Sequence, residues 1–142
     1  MELIKDIVTN TTCYGSTYSD DNRCSGKIIL KDDESFEGLI VNQDNESFIV
    51  TGILSLYEMQ MHINEDSVLK LYRLYKEDLD RNKYYGDYFI ELPNYEQPLG
   101  ECMVRVFEPT TYRDVNLKGE IAGLQEMMAK CKIKQSKSRI TD

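Results

Sequence analysis

The chain has no tryptophan, a single histidine (His62), three prolines and no apolar run that approaches membrane-spanning length. Each shortage excludes something. A transmembrane helix is ruled out by the last, and a secretory leader is not expected either, because Lys5 and Asp6 interrupt the apolar start of MELIKDIVTNTTCYG and polar residues follow directly. A cytoplasmic location with no membrane association is the expectation. Cys13, Cys24, Cys102 and Cys131 form no CxxC pair and are irregularly spaced, so they read as free thiols. One histidine and scattered cysteines give no metal-ligand spacing, and neither a metal nor a cofactor is expected. The chain also lacks a Ser-His-Asp order, HExxH, a P-loop and GxGxxG, and no catalytic residue is assigned.

Basic charge is scarce in the body of the chain. The net charge is −8, yet residues 129–142 hold Lys130, Lys132, Lys134, Lys137 and Arg139 against Asp142, so that this stretch is +4 and residues 1–128 are −12. Nucleic-acid binding by the body is not expected, since phosphate neutralisation supplies most non-specific affinity. The basic stretch either complements a helix dipole and runs into a solvated tail or meets an acidic partner.

What is abundant is strand-forming sequence. There are ten Tyr, and from Gly26 to Glu108 short runs rich in Ile, Val, Tyr and Phe alternate with Asp, Asn, Glu, Gly or Pro clusters. The runs predict strands at Gly26–Lys31, Ser35–Asn42, Glu46–Ser55, Tyr57–Ile63, Val68–Lys76, Tyr84–Leu92 and Glu101–Glu108, with Leu3–Thr9 an eighth or a loosely attached segment. Turn-sized links such as Asp32-Asp33-Glu34 and Gln43-Asp44-Asn45 make neighbours antiparallel. Leu117, Ile121, Leu124, Met128 and Cys131 recur at helical spacing, predicting one amphipathic helix at about 115–133 that packs outside the sheet or pairs with a second copy. The predicted fold is therefore mostly β: an antiparallel up-and-down barrel or strongly curved meander of 7–8 strands with one C-terminal amphipathic helix packed outside. An open sandwich is the alternative. Residues 1–134 read as one domain and 135–142 as a flexible basic tail.

The order of these elements, including the run GKIILKDDESFEGLIV followed by ESFIVTGIL, resembles the small lipocalin-like barrels of the calycin group. The resemblance is one of layout over residues 1–131 and implies a meander closed around an apolar cavity, with a helix outside. Extracellular ligand transport is not implied, because the GxW signature of the secreted lipocalins and a disulfide framework are both missing.

Tyr57, Met59, Met61 and Ile63 alternate with Glu58, Gln60 and His62, which marks the first set as a buried face and leaves His62 outside as a solvated side chain. In a hollow barrel Tyr57, Met59 and Met61 would line the cavity. Arg73, in phase with Tyr75, and Arg105, in phase with Met103 and Phe107, would anchor a carboxylate or phosphate if those faces point inward. The opposite phases, Tyr72-Leu74 and Cys102-Val104-Val106, serve equally as core, with the arginines then outside and salt-bridged. Tyr84, Tyr85 and Tyr88 with Tyr72 and Tyr75 belong either to a cavity with phenolic tips or to an external aromatic patch. Alternation of hairpin ends places Asn10–Ser25 and Pro93–Gly100 at one mouth, with Tyr14, Tyr18 and Tyr95 on its rim.

Two functions from different classes follow. The first is a non-enzymatic barrel that binds a small, partly apolar molecule through Tyr57, Met59, Met61, Tyr75, Arg73 and Arg105. The second is an acidic protein-interaction or regulatory module with a filled core and an exposed aromatic or acidic patch, oligomeric or bound to another protein. An enzyme on the same scaffold would require convergent polar groups inside, of which the sequence gives no specific sign.

Overall fold

The computed structural model describes residues 2–15, 22–65, 67–76, 78, 81–108 and 117–140, with side chains described as far as Gln135. Eight strands run in chain order: β1 (Leu3–Cys13), β2 (Asn22–Leu30), β3 (Ser35–Val41), β4 (Ser47–Leu54), β5 (Glu58–Glu65), β6 (Val68–Tyr75), β7 (Lys83–Glu91) and β8 (Glu96–Phe107). Each pairs antiparallel with the next, and β1 closes the ring on β8 through Ile7 opposite Val106 and Cys13 opposite Gly100. The helix α1 (Leu117–Ile140) follows. The open sandwich is thereby excluded, and closure leaves no sheet edge to pair with another chain.

The turns form where local chemistry allows a left-handed residue. In the β2–β3 hairpin Glu34 takes φ 71°, and its amide donates to the Lys31 carbonyl at 3.1 Å. Asn45 at φ 63° does the same in the β3–β4 hairpin, where its amide reaches the Asn42 carbonyl at 3.2 Å. These are three-residue loops whose last residue is αL, a position Asn tolerates well.

Inward positions alternate along every strand and fill the barrel with Ile7, Ile28, Ile40, Val50, Met59, Met61, Tyr72, Leu74 and Val104, among others. A second apolar layer lies outside, where Ile4, Ile29 and Leu39 meet Leu124, Met128 and Cys131 of α1, with Ile49 and Ile121 half-buried beside them. That explains why β3 and β4 are apolar in both phases: one face fills the barrel and the other carries the helix. The helical stripe thus packs on the barrel, and a Cβ built on Gly123 would meet nothing within 4 Å, so this glycine marks no close helix approach.

Three boundaries differ from the sequence expectation. The expected connection Asn10–Ser25 loses both its ends to strand, because β1 runs to Cys13 and β2 starts at Asn22. Pro93–Gly100 is shortened in the same way by β8 starting at Glu96, with a register shift at Tyr88/Phe89 opposite Pro98. The helix continues to Ile140, through residues 135–140 that were expected in the tail.

Candidate functional site

The barrel interior is packed among the described residues. Besides the apolar core, its β1–β2 end is closed by Thr9, 3% exposed, by Tyr72 stacked on Tyr88 with ring centroids 5.2 Å apart, and by an ion pair of Lys70 with Glu65 at 2.9 Å. The Cys13 thiol and Tyr88 hydroxyl are 3.0 Å apart. At the opposite end the Tyr84 hydroxyl donates to the Ser55 carbonyl at 3.0 Å. The void left among Thr9, Cys24, Ile40, Phe48, Ile63 and Tyr72 measures about 10 Å³, room for no more than a single water. Burial in this packed interior raises the Tyr72 and Tyr88 phenols well above their usual range and pushes the Cys102 thiol up to about 12, with Cys24 adding to the effect on Cys102.

The residues expected to line a cavity are therefore split. Met59 and Met61 are wholly buried in the core. Tyr57 precedes β5, sits in the turn outside the alternation and is 63% exposed. Arg73 and Tyr75 face outward because Tyr72 and Leu74 hold the interior phase of β6. Arg73 forks onto both Glu96 oxygens at 2.8 and 2.6 Å and lies over the Phe89 ring at 5.3 Å. The Glu96 hydrogen bonds raise its pKa further, so this guanidinium is occupied within the chain. Arg105 is exposed, outside the phase of Cys102, Val104 and Val106. His62 is exposed on the outer face, opposite Leu71.

The hairpin ends alternate as the topology requires: the Tyr14 amide donates to the Leu99 carbonyl at 2.9 Å, tying the start of the β1–β2 connection to β8. Tyr14 is exposed but donates its hydroxyl to Asp87 at 3.0 Å, which raises the phenol pKa. Tyr95 is exposed in the β7–β8 turn, and Tyr18 lies outside the described residues.

A space of ligand size opens outside the barrel. α1 rests on β1–β4 as far as Cys131, whose thiol donates to the Ser47 carbonyl at 3.5 Å. There β3 has ended at Val41 and β4 begins at Ser47, whereas the helix, about 36 Å long at 1.5 Å per residue, continues past the rim. The wedge between its second half and the hairpins is a groove of about 790 Å³. Leu39, Phe48, Met127 and Cys131 supply apolar surface, Lys130 and Lys134 line the helix side, and Asp44 and Glu46 line the β3–β4 side.

Asn42 fixes that acidic side. Its Oδ1 accepts the amides of Asp44 and Glu46, both at 2.9 Å, and its Nδ2 donates to Glu46 Oε1 at 3.1 Å. On the other side Lys130 lies 3.5 Å from Glu126 one turn back, a weak exposed pair, and Lys134 has no ion-pair partner among the described residues. Lys134 favours the thiolate of Cys131, but burial dominates and raises that thiol. Sequence reasoning assigned Lys130 and Lys134 to a helix end and Asp44 to a turn; the helical rise carrying Lys130 and Lys134 past the rim was the signal that could have joined them.

A second surface is the half of the barrel that α1 leaves uncovered. Register aligns Tyr75, Tyr85 and Met103 across β6–β8, and Leu71 with Phe89 beside them. Tyr75 is 57% and Tyr85 41% exposed, whereas Tyr72, Tyr84 and Tyr88 are core. Among the described residues no group of three or more His, Cys, Asp or Glu side chains is placed to hold a metal, and no helix is long and apolar enough to cross a membrane.

No protein-family model matches the chain. A comparison with curated proteins finds no significant relative.

Proposed function

We propose that the protein is a non-enzymatic binding module that takes a small, partly apolar molecule in the groove under α1, with the filled barrel as its scaffold. The observation that carries the reading is the contrast in volume: about 790 Å³ beside the helix against about 10 Å³ in the void among Thr9, Cys24 and Tyr72. The groove falls in the range of small-molecule sites, with an apolar floor and a few polar groups around it. Its walls are preformed, the acidic one by the Asn42 hydrogen bonds and the apolar one by the packed helical stripe. The closed meander with an outer helix supports a calycin-like layout, and the free thiols support a cytoplasmic setting.

The test is a solution titration with an environment-sensitive apolar dye such as anilinonaphthalene sulfonate. Saturable one-to-one binding is expected, weakened about tenfold by Met127→Glu, which removes apolar surface from the groove wall without touching the core. Binding that ignores Met127→Glu but is lost in Tyr85→Glu would move the site to the uncovered face. That outcome would favour the second reading, an interaction module that presents the Tyr75–Tyr85–Met103 row to a protein partner or a second copy.

A further inference from the structure

The groove has opposite charges on its two sides, and this narrows what it can hold. A fatty acid or phosphate would meet Lys130 and Lys134 but would also lie beside Asp44 and Glu46; an amine would face the converse. Like charges brought beside one another oppose binding, modestly so where they are exposed, so a ligand of one sign is disfavoured by one wall whichever sign it carries. A ligand with a carboxylate at one end and an ammonium at the other satisfies both. Its middle must be apolar, to cover Leu39, Phe48 and Met127, and also capable of hydrogen bonding, to meet the side-chain amides of Asn45, Asn64 and Gln135 that share the lining.

We propose that the groove binds a short apolar peptide with both termini free, its carboxylate on Lys134 and Lys130 and its ammonium on Asp44 and Glu46. The proposal rests on the groove being the binding site and adds the class of ligand. Lys134 is the principal anion partner, because Lys130 is already shared with Glu126. Asp44 is the principal cation partner, because Glu46 already accepts from Asn42. Peptide amides account for the polar lining that a fatty acid would leave unmatched, and the volume admits several residues rather than one amino acid.

The experiment is isothermal titration of the full chain with trileucine, its N-acetyl form, its C-terminal amide, and decanoate. Trileucine is expected to bind one-to-one, and blocking either terminus to weaken it about tenfold, the scale of one charge-assisted contact. Lys134→Gln is expected to weaken free trileucine as much as amidation does while leaving the amide unchanged, and Asp44→Asn to do the same relative to acetylation. Both positions are on the surface, so folding is not at stake. Equal binding of free and blocked peptides, or tighter binding of decanoate, overturns the proposal. If no peptide binds while the dye still does and remains sensitive to Met127→Glu, the peptide assignment fails and the groove survives. If neither binds, both fail.

Discussion

Replacing Met61 by alanine distinguishes a filled barrel from a hollow one. Met61 is 0% exposed and lies between Gly52 of β4 and Tyr72 of β6. Removing its thioether arm forfeits about 1.5–3 kcal/mol of burial. It also leaves a cavity of roughly 60 Å³, worth about 1.5 kcal/mol at about 24 cal/mol per Å³. Relaxation cannot recover much of this, because every strand is laddered on both sides and the ring cannot contract around one position. The expected loss is about 3–4 kcal/mol, or about 10–15 °C in Tm for a domain of this size. Equilibrium urea unfolding measures it, with an unchanged m-value showing that only stability has moved. A loss below about 1 kcal/mol would mean that the side chain already faces open space, and would refute the filled interior.

Three further outcomes follow from the same packing. In native protein a thiol reagent should modify Cys13 rapidly, because it alone is exposed, and reach the barrel-core thiols Cys24 and Cys102 only after denaturation. Gly52→Ala should cost about 3 kcal/mol in the same urea assay, since a Cβ there would overlap the Gln60 carbonyl and lie 2.9 Å from the Phe36 ring. Stability should decline at alkaline pH. Cys102 titrates near 9.0 when unfolded and at about 12 when folded, so its contribution is complete below 9.0 and is lost as pH rises toward 12. The raised phenols of Tyr72 and Tyr88 act in the same direction from 10.0 upward. Urea midpoints measured across that range should fall less steeply in Cys102→Val, and a midpoint independent of pH would contradict the buried thiol.

The strands were legible where sequence chemistry is local, and obscure where it depends on what lies across the barrel. Met59, Met61 and Ile63 alternate so plainly that their burial follows from period alone, and Asn45 marks its own turn. β1 was cut short after Thr9 because Asn10, Thr11 and Thr12 look like loop residues. In this ring they are strand: Thr9 is buried and, with Thr11, lines the barrel void, so a polar side chain suits its inward face. The phase of Arg73 was undecidable in the sequence because β6 carries apolar residues on both faces. Only its neighbours decide it, through the stacking of Tyr72 on Tyr88 inside and the fork of Arg73 on Glu96 outside. The groove was illegible for a stronger reason. Its walls lie some eighty residues apart in the chain, and they meet only because the helix is longer than the strands it rests on.

The same mismatch of lengths bears on why recognition would lie outside a barrel that has an inside. Glycines at inward positions such as Gly52 and Gly86 leave no room for a Cβ, because neighbouring backbone already occupies that space, and large inward side chains fill what remains. A cavity of ligand size would require several of these residues to shrink together, at a cost near the whole stability of a domain this small. An overhanging helix creates space without disturbing that core. It also places Lys130 and Lys134, from the basic end of a chain that is otherwise acidic, along the same groove as the hairpin residues Asp44 and Glu46. Exposed charges on opposite walls attract only weakly and are screened by salt. On the proposed peptide reading, a ligand with opposite charges at its two ends would make a direct contact with each wall, and the charge segregation visible along the sequence would then select what enters.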